Sequence, residues 1–115
     1  MSDVFPAVGH KYLVDFKADD GSGGFKVQLD FHSETSMTYT GVKANGDLDP
    51  DNVETVTIKV DPIRDMLFLV TWTEEAGAVI VHLEDYKDFR IITNYVDPGP
   101  PPKLTIYRGP MTQIS

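Results

Sequence analysis

The stretch VTWTEEAGAVIVHLEDY, residues 70–86, decides the fold class because it contains two apolar runs around a short break. β-Branched and aromatic residues dominate both runs, and the small, acidic segment EEAG at residues 74–77 separates them. Two such runs joined by a tight link predict an antiparallel β-hairpin. The second run ends in His82, Glu84 and Asp85, which are residue types that also perform chemistry. The hairpin's surroundings and the role of this polar end are therefore the two questions that the stretch raises.

A two-residue period extends through most of the chain. Apolar and polar residues alternate over residues 25–32, and residues 37–40, 56–60 and 66–72 repeat the pattern. No segment of ten or more residues shows helical periodicity, so we do not expect parallel strands, which need long crossovers. We predict about eight strands, near residues 9–17, 24–32, 35–43, 53–61, 65–74, 77–84, 88–96 and 103–109. The expected fold class is all-β, an antiparallel meander that closes into a barrel wide enough for its side chains or one small ligand.

Length and composition indicate one domain over residues 1–115, with 41% hydrophobic and 24% charged residues. The net charge of -8 repels phosphate backbones and anionic lipids, and no basic patch offsets it, so we expect no nucleic-acid partner. The absence of cysteine excludes disulfides, thiolate metal sites and cysteine nucleophiles. The first residues, MSDVFP, lack a basic segment followed by an apolar run, and no stretch approaches the roughly 18 apolar residues that span a bilayer. We expect a cytoplasmic protein with no membrane segment.

Two motifs resemble ligand loops but fail on spacing. In the acidic segment NGDLDPD, residues 45–51, counting from Asp47 places Asn52 and Ile58 where a calcium loop needs glycine and glutamate. The glycine-rich segment at residues 21–24 leads into a strand, whereas a phosphate loop would lead into a helix. We interpret both as turns. The proline run at residues 100–102 is expected to be an extended connector outside the sheet, with a ligand for a proline-binding domain as the alternative.

His82 and Glu84 lie two residues apart, so on a strand they share one face, as a pair of metal ligands would. The other histidines, His10 and His32, lie near the ends of distant strands. We therefore predict no metal site and no cofactor, and interpret His82 and Glu84 as part of a polar face or rim.

Glu54 is the acid with the most informative position. It shares strand parity with Val56, Ile58 and Val60, which predicts that it points into the barrel near its mouth. A carboxylate in that place suits general acid/base chemistry. Fraying of the strand end, which would leave Glu54 in water, is the alternative.

Aromatic side chains with polar tips are spread over five of the predicted strands. They suit a small, flat, partly polar ligand, although core filling explains them equally well. These residues are Tyr12, Tyr39, Trp72, Tyr95 and Tyr107.

The segment LVTWTEEAGAVIVHLEDY, residues 69–86, resembles the strand-hairpin-strand of small calycin-like (lipocalin-like) barrels related to phenolic acid decarboxylase and to the MoaF group. The ending HLEDY is closer to the MoaF-like branch. Weaker similarity covers GHKY at residues 9–12, MTYTG at residues 37–41 and NVETV at residues 52–56.

The resemblance implies that Glu54 is the catalytic acid and Tyr12 a positioning tyrosine. It also implies that interior side chains bind the ligand, for which the candidates are Tyr39, Thr40, Trp72, His82, Tyr95 and Arg108. The arginine that follows the third-strand tyrosine in the decarboxylases is replaced here by Thr40, and Arg90 or Arg108 would have to substitute for it.

Two functions follow as expectations. The first is a small-molecule-binding barrel, which as an enzyme would be a cofactor-free lyase or isomerase that uses Glu54 on a small aromatic or enolisable substrate. The alternative is a non-catalytic MoaF-like metabolite-binding or accessory protein linked to molybdenum cofactor biosynthesis. A homodimer sealed by apolar outer residues such as Leu67 and Leu69 is compatible with both.

Overall fold

The computed structural model describes residues 4–115. Residues 1–3 lie outside the described part, so the expectation that no targeting segment begins there stays a prediction. The described chain forms one antiparallel sheet of nine strands. The strands are β1 (Lys11–Ala18), β2 (Gly24–Phe31), β3 (Ser36–Val42), β4 (Leu48–Thr57), β5 (Lys59–Arg64), β6 (Leu67–Thr73), β7 (Val79–Asp85), β8 (Arg90–Asp97) and β9 (Lys103–Gln113). No helix in residues 4–115 is long and apolar enough to cross a membrane.

The sheet order is β4-β3-β2-β1-β9-β8-β7-β6-β5, which confirms the all-β antiparallel meander. β9 is the exception to the sequential pairing because it lies between β1 and β8. β4 and β5 follow each other in the chain yet form the two edges of the sheet, and β4 also contacts β6. The sheet therefore curls into a half-barrel whose edges approach each other.

The strand count differs from the prediction because the expected strand 53–61 is two strands. The chain bends at Ile58, whose side chain is buried and whose backbone N–H donates to the carbonyl of Thr35. β4 also begins at Leu48, so only the first part of the predicted turn at residues 45–51 is a turn. The proline run at residues 100–102 lies outside the sheet between β8 and β9, as predicted.

The β6–β7 hairpin of residues 70–86 is confirmed. Its strands pair from Leu67 with Asp85 to Thr73 with Val79. In the turn, the amide of Gly77 donates to the carbonyl of Glu74. Gly77 has a φ of 98°, a left-handed conformation that glycine adopts without steric cost. The small residue in EEAG is thus required by the turn.

One end of the barrel is plugged by aromatic rings. Phe5, which precedes β1, packs edge-on against Phe31, Phe68 and Tyr86 at centroid distances of 5.3, 5.2 and 5.6 Å. We call this the closed end. Trp72, which lies four residues beyond Phe68 on the same face of β6, marks the opposite end, which we call the mouth.

β1 and β9 approach each other unusually closely. Their pairing is interrupted between the pairs Val14–Met111 and Lys17–Arg108. Pro110 lies in this gap and has no N–H to donate. A Cβ at Gly109 would collide with the carbonyl oxygen of Asp15, so only glycine fits there.

Candidate functional site

Glu54 lies at the mouth of the barrel, half-buried on β4, and both of its carboxylate oxygens have partners. The hydroxyl of Tyr39 donates to Oε1 at 2.8 Å, and the backbone N–H of Glu75 donates to Oε2 at 2.9 Å. The first contact joins neighbouring strands, since Tyr39 and Glu54 are direct partners in the β3–β4 ladder. The second comes from the β6–β7 turn across the gap between the sheet edges. Glu54 therefore bridges those edges.

Glu74 is a second acid at the mouth, which sequence analysis assigned only to the hairpin turn. The indole Nε1 of Trp72 donates to its Oε2 at 3.3 Å. Burial raises the pKa of Glu74, and the charge of nearby Glu54 raises it further, while the Trp72 hydrogen bond and His82 oppose the shift. The spacing Trp-x-Glu was the available signal, because residues two apart on a strand share a face.

Two tyrosine hydroxyls complete the polar mouth. Burial raises the pKa of Tyr39, and its hydrogen bond to Glu54 adds to the effect. Burial also raises the pKa of Tyr95, together with the charge of Glu74. Both hydroxyls therefore stay protonated at neutral pH and can act as hydrogen-bond donors.

An open groove of about 520 Å³ runs between β4 and β6 beside the mouth. Glu54, Trp72 and Glu74 are among its lining residues. Its volume is comparable with the roughly 300–1,000 Å³ of typical ligand pockets, but the groove is shallow and open to solvent. The two acids therefore face a space that a small molecule can enter.

His82 and Glu84 lie in the core, so their interpretation as a polar rim is wrong. Their side chains are 4% and 0% exposed, and His82 Nδ1 lies 2.9 Å from Glu84 Oε2. The hydroxyl of Tyr86 donates to the other carboxylate oxygen at 2.6 Å. Burial, followed by the charge of Glu84, raises the pKa of Tyr86 well above its ordinary value. The polar end of the opening stretch is thus a buried hydrogen-bonded triad.

A small cavity of about 40 Å³ lies inside the barrel between this triad and the mouth. Its polar lining consists of Tyr39, Trp72, His82, Thr93 and Tyr95. The Trp72 and His82 rings meet edge-on at a centroid distance of 4.6 Å. The structure therefore brings four of the six predicted ligand-binding residues to one cavity, and adds Thr93, which sequence analysis did not single out.

Three predicted site residues, Tyr12, Thr40 and Arg108, lie away from both the mouth and the interior cavity. Tyr12 is at the closed end against Phe31 and Tyr86, where burial and the charge of Glu84 raise its pKa. Thr40 follows Tyr39 on β3 and therefore points to the opposite face of the sheet.

Arg108 is on the exterior, where it forms a bidentate ion pair with Asp19 at 2.7 Å. Arg90, the other candidate substitute for the missing arginine, is exposed at the start of β8. The tyrosine that contacts Glu54 is Tyr39, and the catalytic role of Tyr12 stays a prediction. No group of three or more potential metal ligands occurs within residues 4–115.

The fold and the mouth define a small antiparallel β half-barrel with an apolar core and a polar mouth. The MoaF-like family profile matches residues 8–110, and the chain belongs to the MoaF-like family. Family membership and fold together support a small-molecule-binding barrel.

Among solved structures, the chain is similar to a protein from Burkholderia vietnamiensis described as "a putative beta-lactamase". The TM-score is 0.75 at 15% identity, and the alignment covers 98% of this chain and 100% of that one. At this identity the similarity shows the fold alone. A search of curated proteins finds no significant match.

Proposed function

We propose that this protein binds a small, neutral, enolisable molecule at the barrel mouth and acts on it as a cofactor-free isomerase or lyase. The observation that carries the proposal is the convergence of Glu54 and Glu74 in two different environments. Both are half-buried, but Glu54 accepts two hydrogen bonds at 2.8 and 2.9 Å, whereas Glu74 accepts one long hydrogen bond from Trp72 and has a raised pKa. Two carboxyl groups whose environments differ in this way suit separate roles as base and acid.

The chemistry would be a proton transfer. The carboxylate of Glu54 removes a proton from the carbon next to a substrate carbonyl, and the C–H electron pair forms the enol double bond. Glu74, in its protonated form, donates its proton to the carbonyl oxygen, so the intermediate is a neutral enol. Tyr39 holds Glu54 in position through its hydroxyl.

Decarboxylation of a hydroxycinnamate is the less favoured reaction of this class. Such a substrate carries a carboxylate, which needs a fixed cation for orientation. Neither candidate cation is inside the barrel, since Arg108 pairs with Asp19 on the exterior and Arg90 is exposed at the start of β8. The carboxylate of Glu54 at the mouth also repels an anion. A neutral carbonyl compound therefore fits the mouth better.

The second candidate function is non-catalytic, a metabolite carrier or accessory protein linked to molybdenum cofactor biosynthesis. Membership of the MoaF-like family favours it. A β-lactamase activity has no comparable support, since the Ser-x-x-Lys pattern of serine β-lactamases does not occur in the sequence. Homodimerisation through the half-buried outer residues Leu67 and Leu69 stays a proposal compatible with either function.

Deuterium exchange tests the catalytic proposal directly. Small neutral ketones are incubated with the protein in D2O, and loss of the α-proton signal is followed by NMR. We expect catalysed exchange that Glu54→Gln reduces by at least 100-fold, because the amide cannot accept the proton. Glu75→Gln is the matched control, since Glu75 is exposed and contacts Glu54 only through its backbone. Unchanged exchange in Glu54→Gln would show that the site is assigned to the wrong acid.

Native mass spectrometry of the protein from its own host separates the two candidates. A co-purifying molecule that is released unchanged, with no exchange or absorbance loss in ketone and hydroxycinnamate screens, would favour the carrier. Turnover of any of these compounds would argue against it.

A further inference from the structure

The floor of the interior cavity presents two polar atoms side by side. His82 and Thr93 are direct partners in the β7–β8 ladder, and both side chains point into the barrel. Thr93 Oγ1 is buried and is the only such side-chain nitrogen or oxygen in the described chain that lacks a hydrogen-bond partner. A buried hydroxyl without a partner is costly, so the residue calls for an explanation beyond packing.

The triad below the cavity determines what His82 offers to a ligand. An ionised Glu84 can only accept hydrogen bonds, and it accepts one from Tyr86 and one from His82 Nδ1. The proton of a neutral His82 is therefore on Nδ1, which leaves Nε2 as an acceptor. Protonation would turn the same atom into a donor. Glu84 and Tyr86 thus hold the imidazole in one orientation, as second partners of functional histidines do.

We propose that this floor is a recognition site for a neutral, planar ligand that carries an N–H or O–H donor next to a carbonyl, as in a cyclic amide. The ligand's donor binds His82 Nε2, and its carbonyl accepts from the Thr93 hydroxyl. Trp72 and Phe16, with the two mouth tyrosines, supply flat walls for the ring. The carboxylates of Glu54 and Glu84 disfavour an anionic ligand in the same space.

The size of the cavity requires Trp72 to move when a ring enters. The cavity is about 40 Å³, whereas a cavity that admits benzene measures about 150 Å³. Trp72 lies between the cavity and the open groove and lines both. The indole is 7% exposed and its hydrogen bond to Glu74 is long, at 3.3 Å, so packing more than hydrogen bonding holds it in place. Ligand entry is therefore expected to change the environment of this indole.

This inference rests on the proposed function only in placing a ligand inside the barrel, and it does not require Glu54 to be catalytic. The probe is 2-pyridone, which is planar and neutral and has an N–H beside a carbonyl. Trp72 is the only tryptophan, so its indole gives a single resonance in a 1H–15N spectrum. We expect a saturable shift of that resonance, and binding at least tenfold weaker for N-methyl-2-pyridone, which lacks the donor.

Thr93→Val keeps the side-chain shape but removes the hydroxyl. We expect it to weaken 2-pyridone binding about tenfold and to raise the melting temperature of the free protein, because the unpartnered oxygen is gone. Thr112→Val is the matched control on the exposed face of β9, and it should change neither quantity. If Thr93 served only packing, its replacement by valine would not weaken 2-pyridone binding while raising the melting temperature. His82→Asn, whose amide group lies where Nδ1 does and can still donate to Glu84, removes the Nε2 acceptor and should also weaken binding.

Three results would overturn the inference. They are the absence of saturable 2-pyridone binding, equal affinity for toluene, and undiminished binding in Thr93→Val. If 2-pyridone binds as expected while Glu54→Gln leaves ketone exchange unchanged, the inference stands and the proposed function fails. Glu54-dependent exchange without 2-pyridone binding overturns the inference alone.

Discussion

Removal of one hydroxyl from the buried triad should destabilise the protein measurably. Tyr86→Phe deletes the donor that lies 2.6 Å from Glu84 Oε1, in a place where Glu84 is fully buried and Tyr86 is 2% exposed. A hydrogen bond to a charged group contributes about 1.5–3 kcal/mol, and here water cannot replace it. We therefore expect the free energy of unfolding to fall by about 2 kcal/mol, a large part of the roughly 5–15 kcal/mol that stabilises a typical domain.

Urea unfolding followed by far-ultraviolet circular dichroism measures this loss. With a denaturant dependence of about 2 kcal/mol per molar, the midpoint should fall by about 1 M. The control is Tyr107→Phe, because the Tyr107 ring packs against Phe25, away from the triad. It should stay within about 0.5 kcal/mol of the natural protein. If Tyr86→Phe lowered the free energy of unfolding no more than Tyr107→Phe does, the view that Glu84 depends on the Tyr86 hydroxyl would be refuted.

Three further perturbations have defined outcomes. The folded-state pKa of Tyr86 lies well above the unfolded value near 10. The protonated Tyr86 therefore contributes its full stabilisation of the fold below pH 10, and that contribution is lost as the pH rises further. Tyr86→Phe should flatten this alkaline decline in the free energy of unfolding by about 1.4 kcal/mol per pH unit. The pKa of Glu74 is raised above its ordinary value of 4.5, so at a pH above 4.5 the charged carboxylate destabilises the folded state. Glu74→Gln should therefore raise the melting temperature at pH 7 but not at pH 4. Glu75→Gln, at an exposed position, should change the melting temperature at neither pH. Gly109→Ala should destabilise the fold by about 1–3 kcal/mol or more in thermal melts, because its Cβ meets the Asp15 backbone; a melting temperature equal to that of the natural protein would contradict the close β1–β9 contact.

The strand period predicted the fold and the inward position of Glu54 because both depend on local alternation. Glu54 and Val56 lie two residues apart on β4, so their side chains point to the same face, which is the interior of the barrel. The hairpin was equally local, since EEAG supplies a turn and its flanks supply strands. What the period could not predict was the insertion of β9 between β1 and β8, which depends on contacts between distant parts of the chain.

The site was harder to predict because apolar residues occupy both faces of β7. Val79, Val81 and Leu83 alternate with the inward residues, so parity did not reveal that His82 and Glu84 face the core. The continuation of the inward face to Tyr86 was the missing signal, because its hydroxyl is what makes a buried Glu84 tolerable. Glu74 was missed for a different reason, since its neighbour across the sheet gap, Glu54, is distant in sequence.

The position of β9 makes the barrel separable into parts. β1–β4 and β5–β8 are two consecutive meanders, and β9 is the strand that joins them. Within the sheet, β9 pairs with β8, with Tyr107 opposite Thr93 and Thr105 opposite Tyr95, so its departure would open the barrel wall beside the interior cavity. A chain that ends before residue 103 and a synthetic peptide of residues 103–113 should therefore behave as a split protein, in which complementation by the peptide restores ligand binding.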